Sequence, residues 1–244
     1  MPKEPWNAQW DDRPAEYAET RNCWLSRRRA LAVAGFLQNA RPGQRVLELG
    51  SGVGELLVAL AAERPELRFT GVEPQQSYVD FSSERAARGG LRNLEFRMGT
   101  AERAPEILGD EGGGFDWILS NDMLHHVPAY GAVLEAAARS AQTGARWLVI
   151  EPNWRNPYVL VGCAVKRGER NFWPRPFLAD AAAIGWSLRD RAFLFLVPPF
   201  WKRPPEAVIR LERLLEHNPV LAGGVALTLA LERPAGLPMP RRGR

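Results

Sequence analysis

Between Glu48 and Gly54 the chain reads Glu-Leu-Gly-Ser-Gly-Val-Gly, an acidic residue followed by glycines at every second place. Positions without side chains let the backbone turn tightly and let a ligand lie directly against it. A second acid, Glu73, follows 19 residues after Gly54 and closes the apolar run FTGVEP. A carboxylate there can accept hydrogen bonds from both hydroxyls of an adenosine ribose. Further along, SNDMLHHVP sets Asn121, Asp122 and two adjacent histidines, His125 and His126, after another apolar run. Imidazole titrates near neutral pH, which makes either histidine a candidate proton acceptor. Adjacent side chains point in different directions, so one of the two is expected to face a pocket, with His125 favoured.

These groups need a scaffold that brings the ends of separate strands together. The chain supplies one by alternation. Apolar runs RVLEL, LRFTGVEP, NLEFRMGT, FDWILSND and RWLVIEP read as strands, and ELLVALAAERP, SYVDFSSERAARGG and YGAVLEAAARSAQTG between them read as helices. Parallel strands need crossovers and the crossovers are usually helices, which predicts a doubly wound α/β fold. Before this body, AEYAETRNCWLSRRRALAVAGFLQNA carries helical spacing and stops at Pro42-Gly43. After Pro152, NWRNPYVLVGCAVKRGERNFWPRP is aromatic and basic and fits no regular element. FLADAAAIGW and EAVIRLERLLEHNP read as helices, and SLRDRAFLFLV and VALTLALERP as strand-like runs that pair antiparallel at one edge of the sheet. The expected organisation is an N-terminal helical cap over 1–40, a cofactor-binding core over 41–153, a substrate lid and completion of the sheet over 154–235, and a disordered tail over 236–244.

Composition narrows the function classes. The chain has 244 residues, 45% of them hydrophobic, enough for one large core. Its net charge of +4 comes from arginines interspersed with acids along most of its length, not from one basic stripe, which argues against a nucleic-acid partner. The densest basic run, Arg27 to Arg29, reads as a solvated helix face. Cys23 and Cys163 stand far apart without ligand-type spacing, so neither a disulfide framework nor a metal site is indicated. With no signal-peptide pattern at the start and no apolar run of membrane-spanning length, a cytoplasmic protein without integral membrane segments is expected.

The glycine spacing chooses among nucleotide ligands. A dinucleotide fingerprint needs a glycine where Glu55 stands, and a carboxylate there would repel a pyrophosphate. Glu48 to Gly54 instead resembles the first motif of class I S-adenosylmethionine-dependent methyltransferases. Further stretches resemble that family in order: Glu73-Pro74, the loop MGTAERAP, the Leu-His-His run and WLVIEPN, together covering about Arg45 to Asn153. The resemblance implies a Rossmann-like, mostly parallel seven-stranded sheet with helices on both faces and a partly helical lid. It also implies S-adenosylmethionine as cofactor, S-adenosylhomocysteine as product, and a cofactor site made by Glu48, Gly50, Ser51, Gly52, Gly54, Glu73, Pro74, Thr100, Ala101, Glu102, Asn121 and Asp122. Thr100 departs from the family's usual aspartate, leaving the backbone of Ala101 and Glu102 to carry more of the adenine recognition.

Methyl transfer from a sulfonium is an in-line displacement, so alignment and exclusion of water are the main tasks and a base serves only some nucleophiles. The family's lid places the acceptor near Tyr17, Arg21, Trp24, Trp154, Tyr158 and Trp173, which suits a partly apolar small molecule. The end of the fourth strand lacks the Asn-Pro-Pro-Tyr type stretch of enzymes that methylate amino groups on macromolecules. The expected function is methylation of O, N or C of a small organic metabolite. The alternatives are a nicotinamide-dependent oxidoreductase and a non-catalytic methyltransferase-like scaffold, and assembly as a homodimer stays open.

Overall fold

The computed structural model describes residues 13–109, 113–165, 170–197 and 201–232. The start of the expected cap and the expected tail, 236–244, lie outside them. Helices α1 (Pro14–Arg21) and α2 (Trp24–Phe36) precede an alternating body: β1 (Arg45–Leu49), α3 (Glu55–Glu63), β2 (Arg68–Glu73), α4 (Gln76–Arg88), β3 (Leu94–Met98), α5 (Ala104–Leu108), β4 (Phe115–Asn121), α6 (Tyr130–Ser140) and β5 (Ala141–Pro152). Then come α7 (Pro157–Val165), α8 (Pro174–Ile184), β6 (Trp186–Leu194), α9 (Glu206–Leu215) and β7 (Gly224–Leu231). The strands form one seven-stranded sheet in the order β3-β2-β1-β4-β5-β7-β6. β1 to β5 run parallel, while β7 pairs antiparallel with both β5 and β6. The expected mostly parallel α/β sheet with an antiparallel edge is thus the observed one.

Period-two alternation builds two cores, one on each face. Leu47, Leu49, Ile118, Trp147 and Val149 join Val133, Leu134, Phe177 and Trp186 under α6 and α8. Val46, Trp117, Leu119, Leu148 and Ile150 face the other way, onto Val33, Leu37, Leu57, Leu60 and Val79 from α2, α3 and α4. The chain leaves β1 for β2 on one side of the sheet and returns to β4 on the other. The carboxyl ends of β1 and β4 therefore flank the crevice where open α/β sheets take ligands.

The structure departs from three local expectations. Residues 141–144, expected to continue a helix, start β5 instead, where Ala141 pairs with Phe115 and Gln142 reaches Asp116. The segment after Pro152 contains the helix α7, capped by Asn156, whose Oδ1 accepts the amides of Tyr158 and Val159 at 3.0 and 3.3 Å. In the run Arg27 to Arg29 only Arg27 is solvated. Arg29 is buried and paired with Asp122, and Arg28 pairs with Glu216 and, at 3.5 Å, with Glu212.

Candidate active site

One cavity of about 2060 Å³ opens over the carboxyl ends of the central strands and beneath α1, α2 and α7. At its floor the turn after β1 separates the glycines by task. A side chain at Gly54 would meet Phe96 Cζ at 2.6 Å and Ser82 Cβ at 2.8 Å, so this glycine is required by packing and does not line the cavity. Gly52 (φ +55°) has nothing within 4 Å of where a Cβ would stand, and it lines the cavity. Bare backbone with open space over it is what a close-lying ligand needs.

Two buried carboxyls frame that turn. Glu73 Oε2 accepts the Gly52 amide at 2.9 Å and its Oε1 the Gln75 amide at 3.2 Å. Glu48 Oε1 accepts Asn121 Nδ2 at 3.1 Å, and its Oε2 is buried without a hydrogen-bond partner. Burial pushes Glu48 up to about 8 against the pull of Asn121, and pushes Glu73 up to about 7 against its two amides. Buried acceptors of this kind are costly unless a donor arrives. Ser51, Pro74, Thr100, Ala101, Glu102 and Asn121 line the same cavity, which makes a continuous shelf from the end of β1 past β2 to the loop after β3. A hydroxyl-bearing nucleoside with a cationic tail fits this donor-hungry, acid-framed shelf. A pyrophosphate does not, because Glu55 lines the same wall.

Asp122 adopts φ +48° at the end of β4 and is clamped between Arg21, 3.6 Å away, and Arg29. Burial by itself would raise its pKa, but Arg29 and Arg21 outweigh it and hold the carboxyl below the usual aspartate value. Arg21 also lies 3.6 Å from Glu55, and Tyr17 stacks on Tyr78 with ring centroids 5.4 Å apart. These contacts seat α1 over the shelf, with Tyr17 and Arg21 lining the cavity.

Both histidines border the cavity, contrary to the expectation that only one does, because Leu124–His126 form a tight 3₁₀ turn and not an extended segment. Their rings sit 3.9 Å apart, tilted by 44°. His125 is buried, with Nδ1 2.7 Å from Glu151 Oε2. Glu151 is the residue that sequence reasoning missed. Its Oε1 takes the amides of Met123 and Leu124 at 3.0 and 2.7 Å, and its Oε2 takes that of His125 at 3.2 Å. With three amides donating to it, the carboxylate is the acceptor and His125 Nδ1 the donor, which makes Nε2 the acceptor nitrogen of the neutral ring. Glu48, Glu73 and Glu151 share a signal, an acid at or next to the carboxyl end of an apolar strand.

Three expected acceptor residues lie elsewhere. Trp24 donates its indole N–H to Glu212 at 2.6 Å, Trp154 packs against the core with Arg155 over its ring at 5.5 Å, and Trp173 precedes α8 half exposed. None of the three lines the cavity, whereas Tyr158 does. Both α7 and the segment Phe195 to Val197 contribute apolar wall. Among the described residues no helix is long and apolar enough to cross a membrane.

Comparison with known proteins agrees with this geometry. A family model described as "Methyltransferase domain" matches residues 40–170. The release factor glutamine methyltransferase of Aliivibrio fischeri is 37% identical over 78 residues, covering 32% of this chain and 26% of that enzyme. The chain thus spans only about a quarter of that relative. The ubiquinone biosynthesis O-methyltransferase of Pseudomonas fluorescens is 25% identical over 194 residues, 73% of this chain and 75% of the enzyme. Among solved structures, the geranyl diphosphate C-methyltransferase of Streptomyces coelicolor, in complex with S-adenosylhomocysteine, superposes with a TM-score of 0.62 at 17% identity, covering 82% of this chain and 76% of that one. With a family match over more than half of its length and the seven-stranded order β3-β2-β1-β4-β5-β7-β6, the chain belongs to the class I S-adenosylmethionine-dependent methyltransferases.

Proposed function

We propose that this protein transfers a methyl group to an ionisable oxygen, nitrogen or acidic carbon of a small, largely apolar molecule, with His125 as the proton acceptor. The observation that carries this reading is one cavity holding two unlike ends. At one end stand the bare Gly52 and the buried acceptors Glu48 and Glu73, and at the other His125 is oriented by Glu151 beside an apolar wall. S-adenosylmethionine, when bound, supplies an electrophilic methyl on a sulfonium leaving group.

The chain's own residues do the rest. Glu73 accepts the ribose hydroxyls, Glu48 offers its spare oxygen to the cationic amino-acid end, and Thr100 to Glu102 border the base. Helix α1, held by the Arg21 and Tyr17 contacts, shields the reacting centre from water. His125 Nε2 takes the acceptor's proton as the nucleophile engages, and Glu151 stabilises the resulting imidazolium. The O-methyltransferase relative supports a small-molecule acceptor, as does the apolar lining of the cavity. Incubation with methyl-labelled S-adenosylmethionine and a panel of lipophilic phenols, alcohols and amines tests the assignment. Label transfer to at least one acceptor, lost in His125→Ala, is the expected result. Transfer that persists undiminished in His125→Ala removes the histidine from the chemistry.

A further inference from the structure

Helix α7 reads Pro-Tyr-Val-Leu-Val-Gly-Cys-Ala-Val, with no charged residue over its whole length. A helix on a water-facing surface ordinarily keeps one polar face. In α7 only Cys163 is buried, and Tyr158, Val161 and Val165 are 71%, 59% and 75% exposed. The patch continues on both sides. Asn156 Nδ2 donates to Leu221 O at 2.8 Å, bringing exposed Leu221 against the start of the helix, and Asn171 Nδ2, two residues before exposed Trp173, donates to Leu160 O at 3.3 Å. The same helix forms the apolar wall of the cavity. The exposed Tyr158, Val161 and Val165 are themselves among the residues that line it, so the apolar surface of α7 is the rim of the cavity mouth.

Charge says what covers this rim. From Asn153 to Arg175 the chain carries Arg155, Lys166, Arg167, Arg170 and Arg175 against the single acid Glu169. Arg155 and Arg170 are exposed. An apolar helix flanked by cations, with Tyr158 and Trp173 at its margins, has the composition of a segment that lies in the interface of an anionic bilayer. We propose that α7 docks this protein on an anionic lipid surface and that the acceptor enters the cavity past α7 directly from the bilayer, as an amphiphile with its reactive group in the head. The acceptor part of this proposal rests on the function proposed above. The docking part stands on its own, because vesicle binding is measured without any turnover.

Flotation of the protein with vesicles of phosphatidylcholine containing phosphatidylglycerol is the test, with pure phosphatidylcholine as control. Binding should require phosphatidylglycerol and weaken with salt. It should fall about fivefold for each basic residue removed in Arg155→Gln and Arg170→Gln, and vanish in the double variant Leu160→Glu, Val165→Glu. If that double variant melts at a lower temperature than the parent, the two exposed glutamine variants still decide. The proposal is overturned by absence of binding, by binding that ignores the charge of the lipid, or by a concentration-dependent dimer in sedimentation that Val165→Glu dissolves, which would make a second copy of this chain the occupant. S-adenosylhomocysteine affinity, read separately, tells failure of docking from failure of the transferase reading.

Discussion

His125 Nδ1 lies 2.7 Å from Oε2 of Glu151, whose two oxygens also take the amide protons of the turn that carries the histidine. One buried carboxylate thus fixes the backbone, the ring orientation and the tautomer together. Removing the base should lower kcat by about 10² to 10⁴ in His125→Ala. Glu151→Gln should lower kcat while leaving S-adenosylhomocysteine affinity near that of the parent, because the amide oxygen can still accept from Met123 and Leu124 while the NH2 in place of the other oxygen can neither accept from His125 Nδ1 nor stabilise an imidazolium. Steady-state kinetics and calorimetry on both variants check this. Equal losses of affinity and rate would show that Glu151 only holds the turn.

Cofactor binding should release protons. Burial holds Glu48 at about 8 and Glu73 at about 7, above the ordinary carboxylate value, so both carboxyls carry their protons in the free protein at mildly acidic pH. For acids raised by folding, the associated stability is present in full below the unfolded value and is lost as pH rises through 7 and 8. Ribose hydroxyls and a cationic ammonium favour the ionised forms. Affinity for S-adenosylhomocysteine should therefore rise from pH 6 to pH 8, by at most about tenfold per pH unit for each proton released. Calorimetry in two buffers of different ionisation heat counts those protons, and an unchanged apparent enthalpy between them would contradict the coupling.

Two glycines in one turn should fail in different ways. Gly52→Arg should abolish cofactor binding and cost only the backbone strain of a non-glycine residue at φ +55°, about 1 to 2 kcal/mol. Gly54→Ala should be worse for the fold, because its new methyl meets Phe96 and Ser82 as well. Thermal melts with and without S-adenosylhomocysteine separate the two effects.

Glu212 is 1% exposed and gathers Trp24 Nε1 at 2.6 Å, Arg28 at 3.5 Å and the Val197 amide at 3.2 Å. Glu212→Leu leaves the Trp24 indole N–H and the Val197 amide without their acceptor while Arg28 keeps Glu216, and should cost about 1 to 3 kcal/mol per stranded donor in urea unfolding. Trp24→Phe in the same background should add little, because the indole N–H has already lost its acceptor, and an additive double variant would show that Trp24 and Glu212 are not coupled.

The legible parts of this protein were those whose cause is local. Alternation within β1, β4 and β5, the glycines that break into α3, and acids at strand ends are all visible within a few residues, and they lead to Glu48, Gly52 and Glu73. What stayed hidden depends on partners distant in sequence. Arg29 looks like one charge in a basic run until Asp122 is seen beside it, and Trp24 looks like a lid residue until Glu212 claims its N–H. Gly54 shares its spacing with Gly52, and only the neighbouring Phe96 and Ser82 distinguish packing from ligand contact. Helix α7 escaped because a uniformly apolar stretch has no helical period to read.

The measurement that bears most directly on the central assignment is calorimetric titration of the purified protein and of Glu73→Ala with S-adenosylhomocysteine, with NADH as control. The geometry of Glu73 beside Gly52 predicts micromolar binding to the parent, weakened in the variant by about 1.5 to 3 kcal/mol for lost charge-assisted hydrogen bonds, and no saturable response to NADH. Equal affinity of parent and variant would contradict the placement of the ribose on Glu73, and saturable binding of NADH in place of S-adenosylhomocysteine would contradict the cofactor itself.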